Sequence, residues 1–362
     1  MRLIDASQQQ IEGLYCPISP FPVKGHNTYD KLLTWFNGID PRGVQRHRPY
    51  AELCAELTAS TWPLGDALGQ ELMARWSLAA YSFDDVYCES VARTGGADEN
   101  LRFEEAADCV LDVYRHPGSP PAVSTPVTRA MGDFVLSVTR HYSPTVVACC
   151  AEGWESYMRG LRWQIGLHDT VPSLADYVRN RAHNAAAPFI NVFGAAISGL
   201  DLDDPLRRTP TVQALTDSGW FLTLIYNDWA SRRNEVASGT NNINLVDVMA
   251  HEYHLTIDDA VTETVRLHDR IMEVFLLLAD QCQASGGPLA YWARYMRAAV
   301  SGFLSFSSMS GRYEWPPQSS LVFTNRPRPD RALTPVPEPM RWWWDEAGIP
   351  STAAMTVPHP TE

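Results

Sequence analysis

Much of what this 362-residue chain can be is narrowed by what it lacks. No run of about 18 consecutive apolar residues occurs, so no segment reads as a membrane-spanning helix. Met1 to Gln10 has no charged start leading into an apolar core, which argues against a secretory leader and for a soluble, cytoplasmic protein without stable membrane insertion. Positive charge is scarce: 29 lysines and arginines face 42 aspartates and glutamates, and the net charge of −13 repels nucleic acid and anionic membranes. A phosphorylated small substrate would then need local cations or a metal. The seven cysteines (16, 54, 88, 109, 149, 150 and 282) form no CxxC pair and no zinc-like spacing with histidine, so reduced, mostly buried thiols are expected. Period-two alternation is rare, no internal repeat is visible, and there is no glycine-rich phosphate loop.

What the chain has in abundance is apolar residues at helical spacing. The strongest run is Leu64 to Arg93, where Leu68, Leu72, Trp76, Ala79, Ala80, Phe83 and Tyr87 make a wide apolar face ending at a cluster of acids. Other helical segments are expected at 27–36, 50–57, 101–114, 127–142 and 144–166, and at a helix capped by Ser173. More follow at 212–237 (closed by Gly239), 244–252, 257–284 and 288–306. The expected architecture is all-α: a flexible arm over 1–17, one helical domain over 18–316, and a proline-rich, partly disordered tail over 317–362. Trp342, Trp343 and Trp344 in that tail are available to dock.

Three stretches carry chemistry. In a helix, Asn227, Ser231 and Glu235 stand four residues apart, so an amide oxygen, a hydroxyl and a carboxylate form a column on one face. Mg²⁺ takes oxygen ligands and keeps waters, so a partial cage of this kind suits it; a solvated polar face is the bland alternative. Asp84, Asp85 and Glu89 lie within one and a half turns, and like charges this close call for a cation or an arginine, or else a fully solvated helix. Arg312 and Tyr313 follow the serine-rich run 305–310 and offer a forked donor and a phenol to a phosphate.

Taken together, these stretches resemble the bacterial class I terpene synthases. The family's aspartate-rich motif with its preceding aromatic is matched by Phe83, Asp84, Asp85 and Glu89, and its Asn-Asp-x-x-Ser-x-x-x-Glu motif by Asn227, Asp228, Ser231 and Glu235. Its Arg-Tyr pair is matched by Arg312 and Tyr313. The family's diphosphate-sensing arginine lies 46 positions before the motif asparagine, and Arg181 stands there; Asn184 and Ala185 occupy the linker and effector positions that follow. Two departures stand out. Asn234 replaces a basic residue that contacts diphosphate, with Arg232 or Arg233 as substitutes, and Phe306 replaces a tryptophan.

The resemblance implies a class I terpenoid synthase helical bundle around a central apolar cavity, with three Mg²⁺ held by Asp84 and by Asn227, Ser231 and Glu235. It also implies diphosphate gripped by Arg181, Arg232, Arg312 and Tyr313, and a substrate-facing carbonyl at Ala185. Asp85, Glu89, Asp228 and Asn184 would support these groups. Trp76, Phe83, Tyr87, Phe189, Trp220, Phe221, Phe303 and Phe306 are candidates to line the cavity, with core packing as the alternative for each. The implied reaction is Mg²⁺-dependent ionisation and cyclisation of a linear prenyl diphosphate, farnesyl or geranylgeranyl diphosphate favoured, to a cyclic terpene. Alternatives are a monoterpene-type synthase acting on geranyl or methylated geranyl diphosphate, a chain-elongating prenyltransferase, and a catalytically silent helical binding protein. Elongating enzymes carry two aspartate-rich motifs, and the second motif here is of the Asn/Ser/Glu type. A homodimer is common in the family.

Overall fold

Short polar caps followed by proline start several of the helices. Thr125 and Ser143 each accept a hydrogen bond from a backbone N–H three residues on, and Pro126 and Pro144 fill the first helical position, where no N–H partner is needed. The computed structural model describes residues 2–4, 10–12, 14–23, 27–41, 43–88, 96–168, 170–239, 243–309, 323–331 and 334–351. Its helices are α1 (Thr28–Ile39), α2 (Val44–Thr61), α3 (Ala67–Phe83), α4 (Ala97–Arg115), α5 (Pro126–His141), α6 (Pro144–Leu167) and α7 (Leu174–Asn184). Then come α8 (Ala187–Ile197), α9 (Pro210–Ser238), α10 (Leu245–Tyr253), α11 (Ile257–Ser285), α12 (Gly287–Met309) and α13 (Arg341–Ala347).

The axis of the bundle is α9. From Val212 to Ala230 it is buried on nearly every side, as a helix apolar all round must be. It packs against α11 and α12, while α6 packs against α7 and α8, and α2 joins α3 to α12. Gly239, at φ 73, ends α9 in the left-handed conformation that glycine adopts without penalty. All seven cysteines are free and buried, and among the described residues no helix is long and apolar enough to cross a membrane.

Both chain ends differ from expectation. The only strands among the described residues are four short ones: β1 (Arg2–Ile4) antiparallel to β2 (Gln10–Glu12), and β3 (Leu14–Tyr15) parallel to β4 (Phe323–Thr324). Leu14 and Cys16 are buried, so the end of the supposed flexible arm is fastened to the helical body.

Residues 323–331 and 334–351 of the tail expected to be partly disordered are also fastened, by side chains spaced three and four apart along α11. Asp269 accepts from the Arg328 N–H at 2.8 Å, Glu273 pairs with Arg331 at 2.9 Å, and Arg270 donates to the carbonyls of Thr334 and Ser351. α13 then packs on α9 and α11 with Trp343 and Trp344 buried, the Arg270 guanidinium standing 5.7 Å over the Trp344 ring. The tail has no periodicity of its own because its order comes from α11. Trp344→Ala is therefore expected to cost about 3–5 kcal/mol in urea unfolding; an unchanged midpoint would show that the docked tail adds nothing to stability.

Candidate active site

At the end of α3 the chain widens into a π-helical turn, Asp84–Cys88, an irregularity that often marks functional positions. Asp84 and Asp85 are half-buried there. Their nearest marker is Tyr157 on α6, whose phenol is pushed well above its usual range by burial and then by the Asp84 charge.

Seven residues further along α6, about 10 Å at the helical rise, Gln164 accepts from the Asn184 side chain at 2.5 Å. Between them lies Gly160, where a Cβ would stand 2.1 Å from the Asn184 backbone nitrogen, so glycine is what lets α7 seat against α6. One short stretch of α6 thus brings the aspartate end of α3 and the arginine end of α7 to the same end of the bundle.

Ser173 caps α7, accepting from the Asp176 N–H. At the other end Ala185 is the C-cap, and Ala186 adopts φ 57, ψ 20, a left-handed conformation costing a non-glycine residue about 1–2 kcal/mol. This break between α7 and α8 takes the Ala185 carbonyl out of a continuous helix, a strained arrangement of the kind that recurs at functional sites.

Arg181 is 7% exposed, and all three nitrogens of its guanidinium donate hydrogen bonds. It donates to Asp228 Oδ1 at 2.6 and 3.1 Å, to Asn227 Oδ1 at 3.0 Å and to Asn184 Oδ1 at 2.8 Å. Burial disfavours the charged guanidinium, but the Asp228 carboxylate, together with Tyr177 and Glu235, outweighs burial and raises its pKa. Asp228 Oδ2 in turn accepts from the Tyr177 hydroxyl at 2.5 Å and the Leu245 N–H at 2.8 Å.

On the same helix, Ser231 Oγ lies 2.8 Å from the Asn227 carbonyl and donates to Glu235 Oε1 at 2.5 Å, and Asn244 Nδ2 donates to Glu235 Oε2 at 2.9 Å. Loss of solvation, then the Asp228 charge, push the Glu235 carboxyl up to about 7. A carboxylate so short of positive charge, beside a hydroxyl and an amide oxygen, is a donor set that fits a hard divalent cation.

The structure thus brings Arg181, Asn184, Asn227, Asp228, Ser231 and Glu235 into one connected network. Ala185 borders it, and Asp84 and Asp85 stand along α6. Glu89, Arg312 and Tyr313 lie outside the described residues.

Two expectations are corrected. Arg232, 4% exposed, donates to both oxygens of Asp247 at 2.8 and 3.0 Å, because five residues past Asn227 a helix has turned it towards α10 and away from the oxygen column. Phe83 and Phe189 have 0% exposure and border no open space. Phe83 packs among Tyr87, Phe103 and Trp154, and Phe189 stacks on Trp76 with ring centres 4.0 Å apart. Trp76, Trp220 and Phe306 keep a few per cent of exposure, Phe221 is as closely packed between Tyr177 and Trp343, and Tyr87 and Phe303 are more open.

Three participants went unmarked in sequence: Tyr177, Asn244 and Gln164. Tyr177 stands one turn before Arg181, and Asn244 immediately precedes an apolar helix, as an N-cap does; Gln164 carries no such signal.

A helical bundle with an aspartate-bearing helix end and an Asn/Ser/Glu column at one pole defines a class I terpene synthase. Residues 75–273 match the family described as "Terpene synthase family 2, C-terminal metal binding", and the chain belongs to that family. Among curated proteins, it is 27% identical over 351 residues to a (+)-T-muurolol synthase of Streptomyces clavuligerus described as (2E,6E)-farnesyl diphosphate cyclizing, covering 91% of this chain and 81% of that protein. It is 28% identical to tsukubadiene synthase of Streptomyces tsukubensis, covering 92% of this chain and 99% of that protein.

Among solved structures, a variant of the SVS_A2 protein from ancestral sequence reconstruction shares the fold with a TM-score of 0.78 at 20% identity, over 93% of this chain and 99% of that one. Linalool/nerolidol synthase from Streptomyces clavuligerus does so with a TM-score of 0.68 at 17% identity, over 81% and 99%. The family is metal-binding by its description, which accords with the oxygen donors gathered on α9.

Proposed function

We propose that this enzyme ionises and cyclises a linear prenyl diphosphate of farnesyl or geranylgeranyl length with Mg²⁺ as its metal. The observation carrying this reading is the buried Arg181, held by Asp228 and bonded to Asn227, the first member of the oxygen column that continues through Ser231 to Glu235. An anion arriving at this pole meets an arginine already charged and already oriented.

Asp84 on one side, and Asn227, Ser231 and Glu235 on the other, would hold Mg²⁺, three ions by the family pattern; bound there, the metal neutralises charge that builds on a leaving diphosphate. Arg181 would donate to diphosphate oxygens, its guanidinium exchanging the bond to Asn227 for one to substrate while Asp228 keeps it in place. Arg312 and Tyr313 are assigned the same task on motif grounds. The allylic carbon–oxygen bond breaks with its electron pair leaving on oxygen. A double bond of the same chain then attacks the allyl cation, and loss of a proton from carbon, or addition of water, ends the sequence.

Water must otherwise be kept out, and the dense apolar packing of α3, α8, α9 and α12 does that. Ring faces stabilise the cation by about 0.5–2 kcal/mol each. Tyr87 and Phe303, the more open of the candidate aromatics, are the ones with surface left for that purpose.

Similarity to a farnesyl diphosphate cyclizing relative favours the C15 substrate over shorter ones. Purified enzyme should be incubated with geranyl, methylated geranyl, farnesyl or geranylgeranyl diphosphate, with Mg²⁺ or with EDTA, and products read by mass spectrometry alongside diphosphate release. A cyclic C15 or C20 product that disappears with EDTA is expected. Turnover of geranyl or methylated geranyl diphosphate alone would transfer the assignment to the shorter class, and no product from any substrate would overturn it.

A further inference from the structure

We propose that Asn244 is a positioning residue for Glu235, fixing the carboxylate in the orientation in which it receives the metal; this rests on the reading that Glu235 is a metal ligand. Asn244 is 1% exposed and all of its side-chain bonding is committed. Its Oδ1 accepts from the Val246 N–H at 3.1 Å, capping α10. Its Nδ2 donates to the Asp228 carbonyl at 2.7 Å and to Glu235 Oε2 at 2.9 Å. The amide cannot be turned over, because nitrogen would then face the Val246 N–H and oxygen would face a carbonyl and a carboxylate.

The other carboxylate oxygen, Glu235 Oε1, is held by Ser231 Oγ at 2.5 Å. Glu235 is therefore gripped at both oxygens, once from its own helix and once from the start of α10. That second grip does not depend on Asn244 alone for its stiffness. Asp228 Oδ2 accepts from the Leu245 N–H, and Arg232 bridges to Asp247, so the first turn of α10 is bolted across the site stretch of α9 at two further points, by three hydrogen bonds. An amide donating to a carboxylate that binds metal leaves its remaining lone pairs directed and lowers the cost of ordering it when the cation arrives.

The competing role is that of an N-cap and nothing more, and two variants separate the two. Asn244→Ser keeps an oxygen for the Val246 N–H but is too short to reach Glu235. Asn244→Asp keeps size and cap but presents oxygen in place of the donor. The probe is Mn²⁺ with inorganic diphosphate, its binding followed by electron paramagnetic resonance, together with the Mg²⁺ concentration dependence of turnover and the metal-free unfolding midpoint.

The expected result is a loss of about 10- to 100-fold in metal affinity in both variants, a Mg²⁺ requirement displaced upwards by a similar factor, recovery of most of kcat at saturating Mg²⁺, and a metal-free midpoint that falls further in Asn244→Asp than in Asn244→Ser, because the aspartate sets oxygen against the Asp228 carbonyl and Glu235. Unchanged Mn²⁺ affinity in both variants, with Glu235→Gln losing it, would overturn the positioning role while leaving the metal site standing. Should Glu235→Gln bind Mn²⁺ like the parent, the metal reading itself fails, and this proposal with it. If the aspartate variant unfolds, the shorter Asn244→Ser decides by the same two affinities.

Discussion

Glu235→Gln is expected to lose about 10³-fold in turnover, the several kcal/mol that a misplaced metal withholds at about 1.4 kcal/mol per factor of ten, while the metal-free fold becomes no less stable. The amide fills the same space, its oxygen accepting from Asn244 and its nitrogen donating to Ser231 Oγ, so packing is kept; what goes is the charge. In the metal-free chain that charge is a liability, since burial and the neighbouring Asp228 hold the carboxyl at about 7, above its ordinary 4.5.

A carboxyl whose pKa is higher folded than unfolded binds its proton more tightly in the native state. Its contribution to stability is complete below about 4.5 and is lost as pH rises through about 7. Thermal unfolding of the metal-free parent should show a decline across that interval that Glu235→Gln lacks. Added Mg²⁺ should raise the parent's midpoint most above pH 7, where the carboxylate is already ionised. If parent and variant have parallel pH profiles, Glu235 is not the strained carboxyl described above, and if turnover survives, it is not a ligand.

The parts of this site legible in sequence share one property: they are local. The column of Asn227, Ser231 and Glu235 follows from helical spacing alone, and so do the Ser173 cap and the glycine that ends α9. Arg181 is the exception: the family resemblance, and not local spacing, places an arginine 46 positions before the motif asparagine, and the structure puts the two in contact at 3.0 Å.

Whatever depends on a partner distant in sequence stayed hidden. Arg232 reads as a spare cation until Asp247 is seen beside it, and the tail reads as disorder until α11 supplies its hydrogen bonds. The aromatics show the same limit from another side. Trp76, Phe83 and Phe189 all precede or follow motif residues, but only packing decides which ring faces are spent on each other, as in the 4.0 Å stack of Trp76 on Phe189.

Asp228 shows how much of the site is structural before it is chemical. Its carboxylate, 1% exposed, satisfies Arg181, the Tyr177 hydroxyl and the Leu245 N–H together. Asp228→Ala leaves all three donors buried without it, one of them a full positive charge, and is expected to cost about 3–5 kcal/mol. Arg181→Met is expected to cost less, because Asp228 keeps its phenol and its backbone N–H. Its loss should appear instead in kcat/KM, through the missing diphosphate contact.

The double variant decides between a true pair and two independent residues. Removing Arg181 from the Asp228→Ala background takes away the stranded charge, so the double variant should be more stable to urea than Asp228→Ala alone, with a coupling in the range of about 0.5–3 kcal/mol seen for contacting residues. Simple additivity of the two single losses would mean that Arg181 finds other compensation when Asp228 is absent. The arginine would then be positioned by Asn184 and Asn227, and the carboxylate would serve mainly to fasten α10 to α9.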